Sequence, residues 1–177
     1  IAWHTRSLFS RVNTEPPVVR ARLARIGEGA EVLIYVKDQK DLFARVCGYF
    51  ESRNLSILDA RIHTTRHGYA LDTFLVTDNG HAPHYRELLA QVEHELGEWI
   101  ARQHKLPTPV KGRMSRQSRH FPVTPEVRLQ PDERGSRFLL SVTATDRLGL
   151  LYSIARVLTQ HHLNVHTAKV LTLGERA

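Results

Sequence analysis

The sequence predicts an α+β fold built twice, each unit an antiparallel sheet with its helices on one face. Three observations predict it. The 177 residues are 41% hydrophobic, enough for packed cores. Stretches rich in β-branched and aromatic residues alternate with stretches of helical apolar spacing. And the chain repeats itself: "IYVKDQKDLFARVCGYFESRNLSILDARIHT" (34–64) aligns without a gap on "VTATDRLGLLYSIARVLTQHHLNVHTAKVLT" (142–172), which puts Ala60 on Ala168 at an offset of 108. Asp38 falls on Asp146, Leu42 on Leu150, Leu55 on Leu163 and Thr64 on Thr172, with apolar residues replacing apolar ones between them. Few identities on a kept pattern mark two copies of one supersecondary unit.

Each element has a local reason. "EVLIYVK" reads as a buried strand. Leu42, Val46, Tyr49, Phe50 and Arg53 then recur at helical spacing, with Asp41 placed as a cap. "LSILDARIHT" and "GYALDTFLVTD" give two further strands, and Tyr85, Leu88, Leu89, Val92, Leu96, Trp99 and Ile100 form the stripe of a second helix. In the second copy Leu150, Leu151, Ile154, Val157 and Leu158 repeat the first helix, Gly149 replaces Asp41, and "LNVHTAKVLT" is the following strand. That copy stops before its third strand, so its sheet is expected to be incomplete as written.

Upstream of each copy lies one more alternating segment. "VVRARLARIGEGAEV" and "EVRLQPDERGSRF" each turn at glycine and lead back as hairpin partners. A ferredoxin-like sheet has a trailing strand beside the first. Here the preceding hairpin strand is expected to take that place, and not a strand after residue 103. The expected organisation is a first unit at 16–105, an extended connector at 106–124 and a partial second unit at 125–177.

Composition narrows the function. No apolar run approaches the ~20 residues needed to span a bilayer. Without an opening Met or a signal segment, the chain is expected to be a piece of a longer cytoplasmic protein. The one cysteine, Cys47, has no partner for an internal disulfide. The net charge of +7 is concentrated in "RARLAR" (20–25) and "KGRMSRQSRH" (111–120), an arrangement typical of solvated faces and linkers. "RHGYALDTFLV" (66–76) approaches the stacking strand of an RNA-recognition sheet. However, Leu71 stands where a second ring is needed, and the second copy has no ring at the place of Tyr35. Nucleic acid is therefore not the expected partner.

What repeats is the turn, Asp-x-x-x-Leu, between strand and helix. A helix start favours anions, and a nearby Asp38 or Asp146 could accept hydrogen bonds from an ammonium group, so the pair suits a zwitterionic amino acid. The plainer alternative is that each Asp only caps its helix entrance. Catalytic motifs fail their tests. "GSRFLLSVTATDRL" imitates a nucleotidyltransferase with Gly135, Ser136 and Asp146, but the second carboxylate that paired Mg²⁺ ions need is Leu148. The Gly-Ser is better explained as a hairpin turn. No His-Asp dipeptide occurs. His81, His84, His161, His162 and His166 lack further ligands in register for zinc.

"DRLGLLYSIARVL…LNVHTAKVLTLGER" resembles the second ACT domain of bacterial PII uridylyltransferases, the bifunctional uridylyl-removing enzymes of nitrogen regulation. "DQKDLFARVCGYFESRNLSILDARIHTTRHGYALDTFLV" resembles the first. "IAWHTRSL", within 1–15, resembles the exit segment of their HD-type hydrolase domain, and "SRHFPVTPEVRLQPDERGSR" their inter-ACT connector. The resemblance implies a regulatory pair that senses L-glutamine. The parent enzyme would uridylylate PII with UTP and Mg²⁺ and remove the UMP hydrolytically, while this region holds no catalytic residue and no cofactor. It implies ligand contacts at Asp38, Gln39, Lys40 and Asp41, and at Asp146, Arg147, Leu148 and Gly149, with Asn164 as a further contact at the start of the next strand.

Two departures matter. Lys40 and Leu148 stand where the family usually has Pro, and Asp41 replaces the ACT glycine, adding negative charge where a ligand carboxylate would approach. The second turn is therefore the better glutamine site. A docking module is the alternative function. Its sheets would bind the catalytic domains, PII or another copy, because both faces of the third strand are apolar.

Overall fold

The computed structural model describes residues 2–9, 16–25, 28–79, 85–103, 105–109, 123–132 and 135–171. A short helix, α1 (Ala2–Leu8), precedes the first unit. That unit runs β1 (Val18–Leu23), β2 (Ala30–Lys37), α2 (Leu42–Ser52), β3 (Leu55–His63), β4 (Tyr69–Asp78) and α3 (Tyr85–Ala101). Its strands lie in the order β1-β2-β4-β3, all antiparallel. The hairpin expectation holds: β1 pairs with β2 from Val18 opposite Tyr35 to Leu23 opposite Ala30. Among the described residues no trailing strand lies beside β2.

The period of two along β4 sorts its side chains. Ala70, Asp72, Phe74 and Val76 are buried and alternate with the half-buried Tyr69, Leu71, Thr73 and Leu75. Phe74 joins Val32, Ile34, Val46, Phe50, Ala60, Val92, Leu96 and Ile100 in one core under α2 and α3. The opposite face is apolar too, with Leu33 fully buried. There α1 lies on the sheet: His4 Nε2 is 3.2 Å from Thr73 Oγ1, and the Arg22 guanidinium stands 4.0 Å from the centroid of the Trp3 ring. The outer edge is closed from α3. Glu93 accepts the Ala21 N–H at 2.7 Å and meets Arg20 at 3.5 Å, which satisfies a donor that an edge strand would otherwise expose.

The second unit contributes β5 (Glu126–Pro131), β6 (Phe138–Thr143), α4 (Leu150–Gln160) and β7 (Thr167–Leu171). β5 and β6 form their own two-stranded ladder. Its turn is fixed by the Asp132 carboxylate, which accepts from the Ser136 and Arg137 N–H groups at 2.9 and 3.2 Å. Gly135 and Ser136 are thus hairpin residues. β7 joins the first unit's sheet, antiparallel to β3, and extends it to five strands.

Beneath that seam α4 packs on α2. The Tyr152 ring lies over Gly48, where an added Cβ would come within 2.9 Å of it. The Tyr152 hydroxyl donates to the Pro107 carbonyl at 2.5 Å and Arg156 donates to the same oxygen at 2.8 Å. Of the connector expected at 106–124, residues 106–109 and 123–124 are in neither helix nor strand; 110–122 lies outside the described residues. One boundary needs correction. The strand expected from Leu163 onward begins at Thr167, so Asn164 precedes it and is exposed. The ladder with β3 runs from His63–Thr167 to Asp59–Leu171, and before it the His166 carbonyl accepts one further bond from the Thr64 N–H at 3.3 Å.

Candidate functional site

The two repeated turns have one geometry. Leu42 N–H donates to the Gln39 carbonyl at 3.2 Å, and Leu150 N–H to the Arg147 carbonyl at 3.1 Å. The next helical bonds also match, Arg45 to Asp41 and Ser153 to Gly149, both at 2.9 Å. The residue before each helix is left-handed, with φ 61° at Asp41 and 77° at Gly149. Asp41 therefore does not cap α2 as its position suggested, and it makes no side-chain capping bond. A capping side chain needs extended backbone to reach the helix N–H groups, and a left-handed residue does not provide it.

At the first turn the polar groups are engaged within the first unit. Thr64 donates to the Asp38 carboxylate at 3.4 Å, a long contact, and Asp38 N–H donates to the Gly68 carbonyl at 2.8 Å. The Gln39 side-chain oxygen accepts from Arg45 at 3.2 Å and from Gln103 at 3.1 Å. Lys40 is exposed.

The second turn faces the other unit. Asp146, Arg147, Leu148 and Gly149 are half-buried and line one groove of about 970 Å³ together with Asn164. From the first unit come Glu51, Leu55 and Ser56. The structure thus brings five of the nine expected residues together, and Asp38, Gln39, Lys40 and Asp41 stay apart from them. The groove's volume is not a measure of ligand room. It lies between β6 and β7, the place that β4 holds between β2 and β3, and much of its lining is core surface: Phe138, Leu140, Ile154, Leu158 and Val170. Within it, Glu51 of the first unit approaches the second turn at Gly149.

Two side chains there and nearby were not foreseen. Glu51 is only 7% exposed, and its Oε1 occupies the space that a Cβ on residue 149 would need. On sequence a glutamate near a helix end reads as solvent-facing; the one available signal was the glycine at 149 itself. Asp72 is 1% exposed on the core face of β4. Burial, reinforced by the charge of Asp38, raises its pKa to about 7 against the lowering effect of the His63 N–H, which donates at 3.2 Å. Cys47, also in this core, has its thiol pushed well up by burial and by the carboxylates of Asp72 and Glu51.

Tyr35 and Tyr69 stack on one another, 5.0 Å apart and 9° from parallel, and Tyr35 is 8% exposed. The rings that might have held a base are occupied with each other. Among the described residues no three His, Cys, Asp or Glu side chains gather as a metal site; His81 and His84 lie outside them. Asp146 with Leu148 does not supply the carboxylate pair that Mg²⁺ chemistry would need. Among the described residues no helix is long and apolar enough to cross a membrane.

The chain is 61% identical to the bifunctional uridylyltransferase/uridylyl-removing enzyme of Cupriavidus metallidurans, over 99% of this chain and 20% of that protein. The proteins of the same name from Cupriavidus pinatubonensis and Ralstonia nicotianae are 61% and 59% identical, each over 99% of this chain and 21% of its own length. No family model and no solved structure matches. The chain spans about a fifth of the length of the curated relatives it matches. Along nearly its whole length the chain is thus similar to a segment of bifunctional uridylyltransferase/uridylyl-removing enzymes.

Proposed function

We propose that this chain is the glutamine-sensing regulatory region of an enzyme that transfers UMP from UTP to the PII protein and hydrolytically removes it. The relatives' names support the enzyme. The observation that supports the sensing role is the second turn: a repeated, left-handed strand-to-helix turn that opens toward the neighbouring unit at Gly149. Glutamine there would place its ammonium on Asp146 and its carboxylate at the start of α4, where the helix dipole favours negative charge. Both units border that place, so occupancy can alter how they pack. UTP and Mg²⁺ are assigned to the parent's catalytic part, since the one stretch here that imitates a nucleotidyltransferase has Leu148 where the second carboxylate would stand.

A docking module is the second reading, and α1 favours it. The sheet face opposite α2 and α3 already binds a helix through His4 and Thr73, which is how such a face would receive another domain. Calorimetry of the full-length enzyme separates the two. Saturable heat with glutamine, abolished by a change at the second turn, supports sensing; silence at millimolar glutamine favours docking.

A further inference from the structure

Asp72 stands on the core face of β4, 1% exposed, between Ala70 and Phe74. The β3–β4 ladder runs to Arg61 opposite Thr73 and resumes only as a bridge between Thr64 and Ala70. In that interval the Asp72 carboxylate accepts the His63 N–H at 3.2 Å. Main-chain N–H groups point to alternate sides along a strand, so His63 turns its own toward β4 and Thr64 turns the next one toward the second unit. There the Thr64 N–H donates to the His166 carbonyl at 3.3 Å, and His63 lies opposite Thr167, where β7 begins. One side chain of the first unit's core thus holds the end of β3 on which the second unit's strand starts.

That carboxylate has no counterion. The ionisable groups near it are the Asp38 carboxylate beyond the end of β2 and the Cys47 thiol of α2, with Glu51 acting on the same thiol. His63 of β3 offers its N–H while its imidazole is exposed, and α3 meets this core through Val92, Leu96 and Ile100. Among the described residues no cation pairs with Asp72. An ionised carboxylate buried without a cation is costly, and the cost is relieved by keeping the proton or by reaching water. Burial, with the charge of Asp38 adding to it, accordingly raises its pKa to about 7.

We infer that Asp72 is a proton-controlled tether of the seam between the two units: its neutral form keeps the end of β3 in place for β7, and loss of its proton loosens the pairing there. The end of β3 is the thin side of its surroundings. His63 is exposed, and so are His166 and Thr167 across the seam, whereas Ile34 opposite Asp72 and Phe74 beside it are fully buried. Water therefore reaches the carboxylate most readily by parting β3 from its neighbours at that end. Parting returns Asp72 to an ordinary carboxyl pKa, so opening becomes easier as pH rises from about 4 to about 7 and no easier above that. The pH dependence is local to the seam, and it links the packing of the two units to proton concentration without a ligand.

The test is hydrogen exchange of the full-length enzyme from pH 5 to pH 8, with protection corrected for the intrinsic pH dependence of amide exchange. Wild type is compared with Asp72→Asn, which keeps the shape and an acceptor for His63 but does not titrate. Asp72→Leu decides the matter if the amide is not tolerated, and thermal unfolding confirms which variants are folded. In wild type, protection of β7 and of the end of β3 should fall roughly ten- to hundredfold from pH 5 to pH 7 and then level off, since one proton supplies at most about tenfold per pH unit. β1, at the far edge of the sheet, should change much less, and the folded variant should show no such fall at the seam. An equal fall in the folded variant, a fall as large in β1 as in β7, or constant protection in wild type overturns the tether.

Discussion

Arg61 and Lys169 face each other across the seam between β3 and β7, and they are the same position of the repeat. The offset of 108 that carries Ala60 onto Ala168 carries Arg61 onto Lys169, and the neighbouring pairs exchange around them: Ala60 with Val170, Ile62 with Ala168. The two units thus meet about a local two-fold axis, each offering its equivalent strand. The chain forms within itself the kind of isologous contact that two identical subunits form.

That axis places like charges opposite one another, which weakens a strand pair. Lys169→Glu should strengthen the seam by about 0.2–1 kcal/mol. Slower hydrogen exchange of the β7 amides would register it. Faster exchange would show that the charges do not oppose the pairing.

Gly48 is small because Tyr152 needs the space. The ring cannot retreat easily, since Tyr152 is buried and its hydroxyl is held by the Pro107 carbonyl. Gly48→Ala should destabilise the α2–α4 contact by about 1–3 kcal/mol of overpacking. Against this stands roughly 0.8–1.0 kcal/mol gained from helix propensity. Urea unfolding measures the balance, and combination with Tyr152→Ala should cost less than the two changes summed.

Asp72 makes stability pH-dependent. Its folded pKa of about 7 lies above the usual 3.8, so between those values the folded chain holds a proton that the unfolded chain has lost. Stability should fall as pH rises from about 4 to about 7, by an amount on the order of 4 kcal/mol. Asp72→Asn should flatten that decline and be more stable than wild type at pH 8. Urea unfolding across this range checks both, and an unchanged slope in the variant would assign the titration to another group.

The repeat made most of the fold legible. Alternation in "VVRARL" and "EVRLQP" marked the hairpin strands, and helical spacing from Leu42 to Phe50 and from Leu88 to Ile100 marked the helices. The two turns were found for the same reason: repetition of Asp38 and Asp146 singled out a loop that no composition statistic would have shown. What lay beyond the sequence was the relation between the units. Neither the pairing of β3 with β7 nor the approach of Glu51 to Gly149 has a local signature, because each joins residues about a hundred positions apart. Asp41 misled for a different reason. Aspartate is a good cap only with extended backbone, and the left-handed φ at 41 becomes apparent only once the turn is built.

The central claim is that the second turn, and not the first, answers to glutamine. The most direct measurement is the glutamine response of the full-length enzyme carrying Asp146→Ala or Asp38→Ala. Asp146→Ala should remove a charge-assisted contact worth about 1.5–3 kcal/mol, roughly a ten- to hundredfold rise in half-saturating glutamine, with basal catalysis retained. Asp38→Ala should change it far less, since Asp38 is engaged by Thr64 and its turn carries the fixed charge of Asp41. Equal sensitivity of the two variants would contradict the asymmetry, and an unchanged response in both would contradict the turn as the site.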